Sequence, residues 1–439
     1  MNQLEAGRAR IERWFREALK SVDPRASVCR SLTWDGATLS VDGHNVSVEP
    51  RSRIVVIAIG KAAPAMARGA RDVLDDRIDR GIVLTKTGNL DGEIAGFRAF
   101  EASHPTPDER GIAATREIVN AVSGLSADDI VLALISGGGS ALLEMPRPGL
   151  SLEDLQAVTK TLMHAGAGIH DLNTVRRALS QVKGGGLRQF IGPARCISLL
   201  LSDVLGNDAH VIASGPTVPL PVDAGSPVAV LRRFGVASDV PAAVREAVDA
   251  WARPETGPDS RDIVSVIADN ATMVREIQRI VRDEGLRAGI AWRAYDGDAR
   301  ELGRTLVEAT KTAPDDMDVL LGGGEATVEV RGRGKGGRNT EAALVAAMEL
   351  EPEDRWLIAS LASDGDDGMA DAAGAIADPW TAERGRHHGF PAGAALADND
   401  SATFFADIGG LVVTGPTGTN VNDIYVAVRM DAGSDREQE

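Results

Sequence analysis

Three glycine-rich turns follow apolar runs in this chain: IAIGKAAPAMARGA at 57–70, LISGGGSALL at 134–143 and LLGGGEATVEV at 320–330. Glycine lets backbone N–H groups approach an anion closely, and a helix that starts after such a turn adds the positive end of its dipole. Each turn can therefore cradle a phosphate, or simply join a strand to a helix. The candidate cradle residues are Ser136, Gly137, Gly138, Gly139 and Ser140 in the second turn, and Gly322, Gly323, Gly324 and Glu325 in the third. Cations stand close by. Four lysines, Lys61, Lys86, Lys183 and Lys335, lie beside or within glycine-containing loops, although arginine dominates the 47 basic residues. In RGRGKGGRNTEAALVAAMEL at 331–350, Arg338 opens an expected helix, where a guanidinium can grip a phosphate or carboxylate with two bonds, and Lys335 adds a mobile charge.

Two acidic loops can serve a divalent cation, LLLSDVLGNDAHVIASGP at 199–216 and LASDGDDGMADAAG at 361–374. Asp203 and Asp364 each follow an apolar run and a serine, and a Mg²⁺ ion commonly takes only one or two carboxylates, phosphates and water supplying the rest. The second loop is not an EF-hand, and its Asp and Gly residues also suit a plain turn. His104 and His170 precede expected helices and read as structural residues, since no second histidine stands at metal-ligand spacing. No Gly-x-x-x-x-Gly-Lys-Ser/Thr occurs, the third glycine of a dinucleotide fingerprint is missing after Gly139, and no Gly-x-Ser-x-Gly surrounds Ser136 or Ser140. Hydroxyls that bond phosphate are the better reading of those serines.

These residues need a frame. Short apolar runs at 53–59, 81–86 and 129–135 alternate with helical stretches, one of them Ala-rich from Ala62, which is the punctuation of βαβ units and a largely parallel sheet. Ligands then gather at the carboxyl ends of the strands. Seven prolines between Ser214 and Asp262 read as a connection, followed by strand-like runs at 263–268, 288–292, 318–324, 327–332, 356–363, 410–415 and 424–428. The expected fold is α/β, with two α/β/α domains: a Rossmann-like one over 1–235 and a second over 236–439, its sheet parallel or mixed.

Composition narrows the function. A formal net charge of −17 argues against a nucleic-acid partner, because phosphate backbones are bound by basic surfaces. No apolar run approaches the roughly 18 residues of a membrane span, and the charged, amphipathic N-terminus lacks the apolar segment of a secretory signal. A cytoplasmic protein without a membrane partner is expected. Two cysteines, Cys29 and Cys196, exclude a disulfide framework.

Taken in order, IAIGKAAPAMARGA, SHPTPDERG, LISGGGSALL, NTVRRALSQVKGGGL, LLLSDVLGNDAHVIASGPT, LGGGEATVEVRGRGKGGRNTE, ASDGDDGMADAAGA and TGPTGTNVNDIYV resemble the motifs of the glycerate 2-kinase family, whose C-terminal part is called the MOFRL domain, here about 318–430. The resemblance spans nearly the whole chain. It implies an active site in a cleft between two α/β domains, ATP and a divalent cation such as Mg²⁺ as cofactors, and transfer of phosphate to D-glycerate to give 2-phosphoglycerate and ADP. Carried over by motif, Lys61 and Arg338 resemble the family's essential cationic pair, and Asp203 an active-site acid that orients the C2 hydroxyl or holds metal. Two rivals stay open: a hydroxypyruvate reductase using a nicotinamide cofactor, and a non-catalytic sensor of sugar acids or nucleotides. A homodimer is open as well.

Overall fold

The computed structural model describes residues 3–220, 225–251 and 259–432, so Pro221, Pro254 and Pro258 of the proline-dense stretch lie outside the described residues. The chain forms two compact units. One is Pro24–Ile267; the other joins Met1–Asp23 to Ala268–Glu439.

In the Pro24–Ile267 unit the helix Pro24–Ser31 is followed by a small antiparallel sheet not anticipated from sequence, β1 (Leu32–Trp34), β2 (Thr38–Val41) and β3 (His44–Ser47). Six further strands follow: β4 (Ile54–Ile59), β5 (Arg80–Lys86), β6 (Phe97–Ala102), β7 (Ile130–Ile135), β8 (Arg195–Leu201) and β9 (Ile263–Ala268). They lie in the order β6-β5-β4-β7-β8-β9, and the β4–β5, β4–β7, β5–β6 and β7–β8 pairs are parallel. Every residue of β4 and β7 is buried, as continuous apolar runs covered on both faces must be. Each such side chain contributes roughly 1.5–3 kcal/mol relative to exposure. The Ala-rich helix Ala63–Leu74 crosses between the first two strands. Its small buried residues Ala63, Ala67 and Ala70 let it lie close to the sheet, Pro64 suits its first turn, and Asp75, with a positive φ of 44°, ends it.

The expected boundary at 235/236 is corrected to the junction of Ile267 and Ala268. Val240, Val244 and Val248 share one apolar cluster with Leu155, Val158, Leu172 and Val175, so a cut at 235 would divide a core. The run 263–268, assigned by sequence to the second domain, is the last strand of the first sheet.

In the other unit the strands are β10 (Ala288–Tyr295), β11 (Val319–Gly324), β12 (Trp356–Ala362), β13 (Gly374–Ala377), β14 (Leu411–Val412) and β15 (Asp423–Arg429), ordered β10-β11-β15-β12-β13-β14. Only β10 and β11 run parallel, so the sheet is mixed. Two expected strands fail or shrink. Residues 327–332 supply a single bridge, Thr327 to Asp298, and 410–415 keep only β14. The reason for the first lies in its hydrogen bonds. The N–H groups of Arg331 and Gly332 donate to Asn399 Oδ1 at 2.8 and 2.9 Å, that of Arg333 to Asp398 Oδ1 at 3.0 Å and that of Lys335 to Asp400 Oδ1 at 2.8 Å. Side chains have replaced the ladder. The helix Gln3–Leu19 belongs here too: Ile11, Trp14, Phe15 and Ala18 are fully buried, and the Trp14 indole donates to Glu284 at 2.8 Å. No helix among the described residues is long and apolar enough to cross a membrane.

Candidate active site

In the first sheet the strand order reverses between β4 and β7. The carboxyl ends of two strands at such a reversal are the place where doubly wound sheets bind ligands. Residues 60–61 follow β4 and residues 136–140 follow β7, so two of the three glycine-rich turns meet there. Gly60 turns the chain with φ 122°, and any Cβ on it would strike Ser136. The Lys61 N–H donates to Gly137 O at 2.9 Å and the Ala62 N–H to Ser136 Oγ at 3.1 Å, which stitches the loops together. Ser136 is therefore a buried internal bridge, contrary to its reading as a phosphate ligand. Gly138, with φ 81°, caps the short helix Gly139–Leu142, and the Ser140 hydroxyl bonds that of Ser214 at 2.7 Å.

Asp203, two residues beyond β8, lays its carboxylate on the Cα of Gly137, where a Cβ would collide with Oδ2. Glycine at 137 is thus required for the acid to reach the loop. Lys61 and His104 close over Gly138: a Cβ there would stand 3.1 Å from Lys61 Cγ and 3.4 Å from His104 Nε2. Burial, then the nearby charges of Lys61 and Lys86, hold the His104 imidazole down at about 4, so it is neutral at neutral pH. This departs from the structural role that the sequence suggests for His104. Its signal was positional, since it lies two residues after β6 on the ligand-binding edge of the sheet. Lys61, Asp203 and His104 thus gather on the Gly137–Ser140 loop. Lys183 does not join them as a phosphate ligand; it is buried, its Nζ donating to Glu144 and to Leu143 O at 3.0 Å.

The other unit carries the remaining candidates. Arg338 is the first residue of the helix Arg338–Glu349, and its guanidinium binds Asp423 with two bonds, Nε to Oδ2 at 2.6 Å and Nη2 to Oδ1 at 2.9 Å, while Nη1 reaches Glu325 Oε1 at 3.1 Å. Glu325 also accepts from Asn422 Nδ2 at 3.0 Å. Burial works to lower the Arg338 pKa, but the Asp423 bond and the charges of Asp423 and Glu325 outweigh it and raise it. Burial in turn pushes the fully buried Asp423 carboxyl up to about 7, against the pull of Arg338. Arg338 is a paired cation here.

The expected anion site at this helix start is also already filled. The buried Asp367 accepts from the N–H groups of Asn339 and Thr340 at 2.9 and 2.7 Å and from the Thr340 hydroxyl at 2.8 Å. It lies three residues beyond Asp364, the residue that sequence reading chose. Asp364 is half-buried, and its Oδ1 accepts the Asp366 N–H at 3.1 Å in a turn.

Gly322, Gly323 and Gly324 are corrected from loop to strand. They end β11, paired with Tyr425, Ile424 and Asp423 of β15 on one side, and Gly322 and Gly324 with Trp292 and Tyr295 of β10 on the other. Side chains there would run into Trp292, Asn270 and Tyr295, so glycine serves close packing and not a phosphate cradle. Lys335 is exposed on the packed 331–335 segment. Among the described residues no three His, Cys, Asp or Glu side chains converge as a metal-binding group.

A doubly wound sheet with a lysine, an aspartate and a glycine loop at its switch point, joined in one chain to a mixed sheet bearing an arginine–carboxylate triad, defines a two-unit α/β protein equipped for anionic small molecules. The comparisons with known proteins narrow that class. Residues 10–249 match the family model described as a domain of unknown function (DUF4147), and residues 318–423 match the MOFRL family. The D-glycerate 2-kinase of Thermotoga maritima is 39% identical over 86% of this chain and 90% of its own length. A relative from Agrobacterium vitis with the provisional name hydroxypyruvate reductase is 39% identical over 94% of this chain and 92% of its own. The crystal structure of glycerate kinase from Thermotoga maritima superposes with a TM-score of 0.86 at 35% identity, covering 97% of this chain and 100% of that one. The chain belongs to the glycerate 2-kinase family.

Proposed function

We propose that this protein transfers the γ-phosphoryl group of ATP to the C2 hydroxyl of D-glycerate, giving 2-phosphoglycerate and ADP. The observation that carries the reading is the convergence of Lys61, Asp203 and the Gly137–Ser140 loop at the switch point of the first sheet. Phosphoryl transfer asks little covalent chemistry of a protein; it asks for positioning and for opposite charge. Lys61 neutralises charge on the transferring group or orients the glycerate carboxylate. The N–H groups and hydroxyl of Gly138–Ser140 take phosphate oxygens. Asp203 orients the C2 hydroxyl and accepts its proton as the new P–O bond forms and ADP departs. In the other unit Arg338 offers Nη1, whose partner Glu325 is half exposed and able to yield it to an anionic oxygen.

Mg²⁺ is a hard cation that needs few protein oxygens when phosphates supply the others, and in its alternative role Asp203 is the donor proposed for it. Bound there, the ion would neutralise charge on the β- and γ-phosphates. The cytoplasm is the proposed location, and a homodimer is tested by solution mass.

Incubation of the protein with ATP, Mg²⁺ and D-glycerate, with the product identified by phosphorus NMR, tests the reading. 2-Phosphoglycerate is expected. The strand order is also that of dinucleotide-binding sheets, so the reductase is the second reading. NADH oxidation by hydroxypyruvate, with no ADP formed from ATP and glycerate, would overturn the kinase in its favour.

A further inference from the structure

One motif of the sequence, NTVRRALSQVKGGGL, has no part in the chemistry above. Its helix, Ile169–Leu179, carries Asn173, Arg176 and Arg177 at spacings of three and four, hence on one face. Asn173 Oδ1 accepts from Ser214 Oγ at 3.4 Å, and Ser214 bonds Ser140 at 2.7 Å, so this face adjoins the end of the Gly137–Ser140 loop. Arg177 confirms the direction: its Nη2 donates to His210 O at 2.7 Å, and His210 packs against Gly215, the neighbour of Ser214. Arg147 lies at the end of the same helix, its N–H bonded to Leu179 O at 2.9 Å.

What sets these arginines apart is the lack of a partner for their charge. Among the described residues none of the three makes an ion pair with a carboxylate. Arg176 has Thr159 Oγ1 at 3.5 Å and feels Glu144, but Glu144 is already engaged by Lys183. Arg177 feels only the more distant charge of Asp208. Of the five buried side-chain polar atoms without a hydrogen-bond partner among the described residues, three are here: Arg147 Nε, Arg177 Nε and His210 Nδ1. Burial lowers the pKa of all three arginines, and the charges of Glu144 on Arg176 and Asp208 on Arg177 offset it only in part. Orphaned donors and an unbalanced guanidinium are costly in a folded protein unless a ligand completes them.

We infer that Arg176 and Arg177, with Arg147 at the end of their helix, form an oxyanion subsite beside Ser140 that holds either the carboxylate of glycerate or a phosphate of ATP. This rests on the function proposed above and adds binding residues to it. The guanidinium fork matches both oxyanions, and the two sources separate in kinetics.

The test uses Arg176→Met and Arg177→Met, with Arg177→Lys as the variant that keeps charge but loses the fork. The KM for one substrate is expected to rise about tenfold to a hundredfold in the Met variants, as for a lost charged hydrogen bond, and less in Arg177→Lys. A rise confined to glycerate assigns the carboxylate; a rise confined to ATP assigns the phosphate. Melting temperatures are expected to stay level or climb, because an uncompensated buried charge has been removed. Both KM values within twofold of wild type, or a fall of several degrees in melting temperature with KM unchanged, would overturn the subsite. Inorganic pyrophosphate supplies a readout independent of turnover: it is expected to raise the wild-type melting temperature and to lose that effect in Arg177→Met. If the wild-type chain makes no 2-phosphoglycerate, the kinase reading falls while the pyrophosphate shift still decides the subsite.

Discussion

His104 shows how much one side chain depends on its surroundings. Its folded pKa of about 4 lies below the ordinary value of 6.5, so between those two values the unfolded chain binds a proton that the folded chain refuses. Its share of stability is fully present above about pH 6.5 and is lost as the pH falls toward 4. Denaturant midpoints measured across that interval should decline less steeply in His104→Gln than in the wild-type chain. Identical slopes would show that the histidine titrates normally. The sequence exposes Lys61, Asp203 and the 136–140 loop because each follows a buried apolar run, and the end of such a run is where a parallel sheet collects ligands. It hides the duty of Ser136, whose partners, Ile59 O and the Ala62 N–H, lie more than seventy positions upstream. Gly322–Gly324 mislead for the same reason. A glycine that admits a phosphate and one that admits a neighbouring strand are spelled alike, and only Trp292 and Tyr295 across the pairing tell them apart.

Among elements, the helix Arg338–Glu349 depends on a carboxylate from another loop. Asp367 satisfies its first free N–H groups at Asn339 and Thr340, and this fixes the residue beside them, Arg338. Asp367→Ala should cost about 2–4 kcal/mol, on the scale of a lost helix cap plus an unsatisfied buried donor, and should lower kcat by misplacing the guanidinium. Thermal melts and steady-state kinetics together check this; a variant unchanged in both would show that the cap is dispensable. The helix itself is legible from its Ala/Leu pattern, and so are most long strands of both sheets, although β6, with its less apolar FRAFEA, is missed. The 327–332 run alternates like a strand yet packs as an irregular segment, because Asp398, Asn399 and Asp400 offer its N–H groups nearer partners than any strand. Periodicity reports the exposure of side chains and says nothing of where the backbone bonds go.

At the scale of the molecule, the N-terminal helix is built into the unit formed mostly by the C-terminal half. Its amphipathic pattern foretells a helix with a buried face but not which core receives it. Trp14 is wholly buried with its indole bonded to Glu284, so Trp14→Ala should cost roughly 3–5 kcal/mol, read as a lower denaturant midpoint. A loss under about 1 kcal/mol would mean that the helix is only loosely attached. Proline density suggests a linker after Ser214, yet the apolar cluster shared by Val244 and Leu155 keeps those residues in the first unit. Core membership, set by contacts distant in sequence, outweighs local composition.

A chain of net charge −17 that binds polyanions must concentrate positive charge locally, and Lys61 at the switch point is where that requirement is most direct. Phosphorus NMR of 2-phosphoglycerate formation, run in parallel on the wild-type chain and on Lys61→Ala, tests it. The variant should fold normally, with kcat/KM lower by roughly 10³-fold or more, comparable to the loss of a charge-stabilising cation in other phosphoryl-transfer enzymes. Wild-type turnover in the folded variant would contradict the placement of phosphoryl transfer at the β4–β7 switch point.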